Sequence, residues 1–95
     1  MSAGAAAALA ASQMMTLNAI GGLVTLKPAD FLALVQKQPG GLVIHSTVRR
    51  SFSGTRQHQY LTSYKGIGFY AKSDDPLPLP PDTELIEAEK IWPGQ

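Results

Sequence analysis

The chain has 95 residues, of which 44% are apolar and 16% are charged, so it has room for one domain of ordinary size and for no second core. It contains no cysteine, which excludes a disulfide scaffold, a thiol nucleophile and a zinc ribbon. Only two histidines are present, so we expect neither a metal nor a cofactor.

The formal net charge of +1 conceals a division of charge along the chain. The first 26 residues carry no charge, and residues 31–73 carry only positive charges. Residues 74–95 carry six carboxylates against Lys90 alone. Such segregation can present a strong field to a partner. We expect the simpler outcome, in which the acidic segment folds back on the basic one and neutralises it.

Residues 1–24 form an uncharged, alanine-rich segment that we expect to be helical or partly disordered. Alanine favours helix, but a short isolated helix is marginal in water, so residues 3–17 need something to pack against. The segment lacks the basic start and leucine-rich centre of a secretory signal. Polar residues and two glycines interrupt it as a membrane span. We therefore expect a cytoplasmic protein; membrane contact by this segment and a start at Met14 or Met15 stay as alternatives.

Residues 25–95 are predicted to form a single small domain that begins with a helix. Pro28 suits a first helical turn, and Asp30 places a negative charge near the positive end of the helix dipole. Apolar residues from Phe31 to Val35 fall on one side of the helix. The sequence Pro39-Gly40-Gly41 stops it, so a helix is predicted over residues 28–38.

Three strands are predicted after this helix. Residues 42–48 are rich in β-branched side chains, and His45 and Thr47 point away from the side that carries Ile44. Residues 49–57 have the composition of a loop. Two extended runs, at residues 58–64 and 67–72, are joined at Lys65-Gly66, which predicts a hairpin with a type I turn and a bulge.

The last segment begins with four prolines between Pro76 and Pro81, which predict an extended, non-helical connector. Residues 84–92 fit either a helix capped by Asp82 or a strand, and we prefer the strand. Its glutamates would discourage pairing with other chains if it lay at a sheet edge. The predicted fold is α+β: one or two N-terminal helices packed on an antiparallel sheet of about three to four strands.

No catalytic set can be recognised in the sequence. His45 lies next to Ser46 in a hydrophobic strand, but no nucleophile-elbow sequence surrounds it, so we interpret it as a partly buried structural histidine. The glutamates of the last segment lack the spacing of a calcium loop. We predict a protein that is not an enzyme; a small-ligand or enzyme site near His45 is an alternative.

The basic stretch between residues 49 and 65 is the strongest candidate for a contact surface. Cations bind phosphates and aromatic rings stack on bases, and single-strand binders combine both. The residues proposed to contact a partner protein or a nucleic acid are Arg49, Arg50, Arg56, His58, Tyr60 and Lys65. The near-neutral total charge argues against a dedicated nucleic-acid domain. We predict a protein–protein interaction or accessory-subunit protein that can self-associate, with a nucleic-acid-binding module as the alternative.

Overall fold

A computed structural model describes residues 21–38 and 42–92. Within these ranges the chain forms one helix and five strands, in the order β1 (Leu23–Thr25), α1 (Pro28–Lys37), β2 (Val43–Arg50), β3 (Arg56–Tyr64), β4 (Ile67–Ser73) and β5 (Glu84–Glu87). The strands form a single sheet with the spatial order β1-β4-β3-β2-β5. The helix predicted for residues 3–17 lies outside the described residues.

The predicted α+β class, with helices packed on an antiparallel sheet, is wrong. The three central strands pair antiparallel with one another, β2 with β3 and β3 with β4, but the edge strand β1 runs parallel to β4 and the edge strand β5 runs parallel to β2. The sheet is therefore mixed, and a single short helix accompanies it in the described part of the chain. Residues 21–38 and 42–92 therefore form a sheet-rich domain rather than a helical layer on an antiparallel sheet.

The two parallel strand pairs at the edges of the sheet arise because long connections join β1 to β2 and β4 to β5. Parallel strands cannot be joined by a tight turn, because the chain must cross a face of the sheet to return in the same direction. The helix α1 makes this crossing between β1 and β2, and the proline-rich connector (residues 74–83) makes it between β4 and β5. The sequence pattern missed β1 because three residues after Gly21-Gly22 are too few to show alternation.

The helix predicted for residues 28–38 is confirmed as α1. Pro28 occupies its first turn, and its buried residues are Phe31 and Val35, as the apolar pattern indicated. At its end the Gln38 side-chain amide donates a hydrogen bond to the Tyr64 hydroxyl over 3.1 Å. This bond fixes the end of the helix against the last residue of β3.

The predicted hairpin is confirmed, with a different turn. Lys65 and Gly66 both have positive φ, 52° and 78°, which is typical of a type I′ turn rather than of a type I turn with a bulge. The segment predicted as a loop, residues 49–57, is a loop over five of its nine residues, and its two ends belong to β2 and β3. Only residues 51–55 lie outside β2 and β3, so these strands form a longer hairpin than expected.

The main core lies on the face of the sheet that carries Ile44 and Tyr60, here called the front face. Side chains alternate along each strand, so the register places Ala71 beside Tyr60 on this face. The rings of Phe31 and Tyr60 lie 6.1 Å apart between centroids. The buried cluster comprises Phe31, Val35, Leu42, Ile44, Tyr60 and Ala71.

The opposite face, here called the back face, is covered by the C-terminal segment, residues 88–92. The Thr47 hydroxyl donates a hydrogen bond to the Glu89 carbonyl over 2.7 Å. Further along, the Trp92 ring meets the Tyr70 ring edge to face at 5.1 Å. These contacts draw an irregular segment across the strands.

The same segment completes the burial of the back face. Ile91 and Leu61 have no exposed surface, although neither belongs to the front-face cluster. The strand preferred for residues 84–92 is confirmed only over its first part, because β5 ends at Glu87. Beyond that residue the chain turns under the sheet instead of continuing along its edge.

Candidate binding groove and arginine hairpin

A groove of about 530 Å³ lies on the front face between the connector and the sheet. Ser46 and Tyr60 form part of its floor, and Leu77 and Leu79 form the wall that the connector supplies. Its volume lies within the range of about 300–1,000 Å³ that is usual for ligand pockets. The front face therefore offers a concave surface beside its packed core.

The connector is held over the sheet by defined hydrogen bonds. The Leu77 backbone N–H donates to the Tyr60 hydroxyl over 3.0 Å, and the Leu79 N–H donates to the Leu77 carbonyl over 2.9 Å in a tight turn around Pro78. A second turn closes with the Thr83 N–H on the Pro80 carbonyl at 3.0 Å. The prediction of a non-helical connector is confirmed, and its leucines are held where they can line a groove.

The far side of the groove is apolar with an acidic rim. Val48 and Leu85 line it and keep 49% and 43% of their surface exposed, so their packing is incomplete. Glu87 and Glu89 line the same side, and no lysine or arginine is among the described residues of the wall. Such a surface suits a partner that carries apolar and positively charged groups.

Three polar side chains on this surface resemble the parts of an acyl-transfer site. Ser46, His58 and Glu87 all line the groove, and Glu87 lies opposite Ser46 in the register of β5 and β2. Among the described residues, no hydrogen bond joins the three side chains. His45, near which the sequence suggested a ligand site, is buried on the back face and does not line the groove.

The hairpin formed by β2 and β3 ends in a basic tip, here called the arginine hairpin (residues 49–56). Its loop is ordered by hydrogen bonds: the Ser51 N–H donates to the Thr55 carbonyl, and the Gly54 N–H donates to the Ser51 carbonyl, each over 3.0 Å. Gly54 has φ of 82°, a conformation that favours glycine. Phe52 is fully exposed at the tip.

The three arginines of the chain all lie on this hairpin. Arg50 lies directly opposite Arg56 on the neighbouring strand, which places like charges side by side. Arg49 points to the back face, where its charge lowers the pKa of Tyr70. Burial has the larger and opposite effect, so the pKa of Tyr70 lies above its ordinary value of 10.0.

The proposed contact residues do not form one surface. Arg49, Arg50 and Arg56 lie together at the hairpin tip. Lys65 lies at the other end of β3, about 30 Å away at ~3.3 Å per residue, where its ammonium group sits 5.3 Å from the Tyr64 ring. The other two candidates, His58 and Tyr60, instead line the groove, and Tyr60 is buried.

Sequence reasoning missed the residues that make the groove concave. The alternation of leucine with proline around Pro78 was a usable signal, because it places Leu77 and Leu79 on a rigid segment that cannot form a helix. The position of Leu85 and Glu87 in the groove could not be read from the chain. It depends on the parallel register of β5 with β2.

The acidic segment lies beside the basic one in the sheet, which is the first half of the outcome expected from the sequence. β5 pairs with β2, and the Ala88 N–H donates to the Ser46 carbonyl over 2.9 Å. Asp74 shares a shallow depression with Arg49 and Arg50. Across residues 21–38 and 42–92, however, no arginine or lysine side chain forms an ion pair with a carboxylate. The neutralisation expected from the sequence is therefore not seen as ion pairs in the described part of the chain.

In the part of the chain that the structure describes, no three histidine, aspartate or glutamate side chains come together as possible metal ligands. The same part contains no helix with the length and hydrophobicity needed to traverse a bilayer.

Comparison of the sequence with protein-family models, with curated proteins and with solved structures gives no significant match.

Proposed function

We propose that this chain is a non-catalytic protein-interaction module that binds a partner segment in the front-face groove. The observation that carries the proposal is the incomplete packing of Val48 and Leu85 in a concave, largely apolar surface with Glu87 on its rim. Apolar anchors seated in such pockets supply most of the binding energy of protein interfaces. A cytoplasmic location, expected from the sequence, belongs to the same proposal.

The chemistry of the groove defines the partner. Apolar side chains of a bound segment would contact the connector leucines, and basic side chains would face Glu87 and Glu89. A partner with acidic flanks would meet two like charges and bind more weakly. The partner segment is therefore apolar at its centre and positively charged at its flanks.

Nuclear magnetic resonance tests this proposal with two short synthetic peptides that share an apolar centre and differ in their flanks. We expect the peptide flanked by arginines to shift the resonances of Val48, Leu77 and Leu85, and the peptide flanked by glutamates to leave them unchanged. Shifts confined to other parts of the surface, or no shifts with either peptide, would refute the proposal.

A matched pair of variants locates the binding. Leu85→Lys places a cation in the groove, whereas Glu84→Lys places one on the same strand but facing the back. We expect the first to weaken binding of the arginine-flanked peptide at least tenfold, since it adds a like charge and removes an apolar contact. The second should retain nearly all of the binding.

The arginine hairpin favours a second candidate, binding of single-stranded nucleic acid. Phe52 is a fully exposed ring beside three arginines, and rings and cations together bind stacked bases and phosphates. We expect affinity for a single-stranded oligonucleotide to fall steeply as salt rises. Absence of binding at about 50 mM salt would exclude this function.

A further inference from the structure

The arginine hairpin matches the partner that the groove requires. It carries an exposed apolar ring, Phe52, between cations at Arg50 and Arg56. Its cations form no ion pairs within the described part of the same chain. The groove offers the complement, with apolar walls and carboxylates at Glu87 and Glu89.

We propose that the groove of one copy of this chain binds the arginine hairpin of a second copy, with Phe52 as the apolar anchor. This inference rests on the proposed function of the groove and names its occupant. A Phe side chain is a strong interface anchor because it buries much surface in a well-packed pocket. The rim carboxylates then neutralise Arg50 and Arg56, which otherwise repel each other across the strands.

The positions of hairpin and groove favour a closed, two-fold dimer. Both features are built on β2 and β3: Val48 and His58 line the groove, and the hairpin begins within two residues of each. When the donating and accepting surfaces are neighbours, a two-fold axis can satisfy both at once, and assembly stops at two copies. Each chain would then donate one hairpin and accept one.

Sedimentation equilibrium over a wide concentration range tests the dimer. We expect a reversible monomer–dimer equilibrium that shifts towards monomer as salt is raised from about 50 to 500 mM, because screening weakens the charge pairs. Phe52→Ala should weaken the dimer about 30-fold, the loss typical of an aromatic hot spot. At concentrations low enough for the chain to be monomeric it should leave the thermal unfolding curve unchanged, since Phe52 is fully exposed in the single chain.

Charge reversal gives the sharper test. Arg56→Glu and Glu87→Arg should each weaken self-association about tenfold or more, because each places like charges in the interface. Mixing the two single variants should restore dimers, since each hairpin then meets a groove of opposite charge. Glu84→Arg is the matched control on the back face of β5 and should leave association unchanged.

The outcomes separate this inference from the proposed function. A chain that stays monomeric while its groove binds the arginine-flanked peptide would overturn the hairpin as occupant and retain the groove as a protein-binding site. Dimers that survive both charge reversals would overturn the hairpin–groove interface. Restoration of dimers only in the mixed sample supports it.

Discussion

The two faces of the sheet are buried by different kinds of structure. The front face is covered by α1, whose residues Phe31 and Val35 reach the core at regular helical spacing, and by the hydrogen-bonded connector. The back face is covered by residues 88–92, which follow no regular pattern. A helix stabilises its own backbone, whereas an irregular segment depends on single side chains such as Ile91. We therefore expect the two faces to fail in different ways.

The largest loss of stability should come from a substitution in the core of the front face. Phe31→Ala removes a fully buried ring from the cluster that joins α1 to the sheet, and we expect a loss of about 3–5 kcal/mol in the free energy of unfolding. The total free energy of unfolding of a small domain is about 5–15 kcal/mol, so the whole domain should unfold at a lower denaturant concentration. Equilibrium unfolding in urea measures this loss, and Gln36→Ala on the exposed side of α1 is the control.

A smaller and more local effect is expected on the back face. Ile91→Ala should cost about 2–4 kcal/mol, because it empties a fully buried site. The loss should first release residues 88–92, so backbone hydrogen exchange should rise there before it rises in β3. Exchange that rises equally throughout the sheet would show that the two faces fail as one unit. Lys90→Ala, which is exposed, should have no comparable effect.

Removal of the Tyr60 hydroxyl should loosen the connector without affecting α1. Tyr60→Phe keeps the ring against Phe31 and removes the acceptor for the Leu77 N–H, at a cost of about 1–2 kcal/mol. Hydrogen exchange at the Leu77 amide should increase while α1 stays protected. Tyr64→Phe removes a different bond, to Gln38, and should leave the Leu77 amide unchanged.

The smallest expected loss of stability occurs at alkaline pH and involves Tyr70 on the back face. Burial raises the pKa of Tyr70 in the folded protein above the ordinary value of 10.0, so its stabilising contribution is complete below pH 10.0 and is lost as pH rises through the folded pKa. We expect stability to fall over that window, and Tyr70→Phe to reduce the fall. Arg49→Gln should raise the Tyr70 pKa further, as measured by phenolate absorbance, because the opposing positive charge is gone.

The features of the fold that were predictable from sequence are those set by local patterns. The helix at Pro28 follows from its first-turn proline and apolar spacing, and the β3–β4 hairpin follows from alternation around Lys65-Gly66. The parallel edges were not predictable. β1 is too short to show a pattern, and the register of β5 is determined by how the connector crosses the front face.

In the candidate site, too, only the features set by local sequence were predictable. The basic character of the hairpin follows directly from Arg49, Arg50 and Arg56 in the sequence. The separation of Lys65 from that cluster depends on the length of β3, which continues through residues predicted as loop. The groove depends on contacts between segments far apart in the chain, such as Tyr60 with Leu77, and no local pattern encodes such contacts.

The parallel edges also bear on the order in which the sheet assembles. The three central strands are joined by short connections, so they can pair as soon as each has left the ribosome. β1 is synthesised early, but its neighbour β4 comes late, and β5 must wait for the connector. We expect a central three-stranded nucleus to form first and both borders of the sheet to be added afterwards.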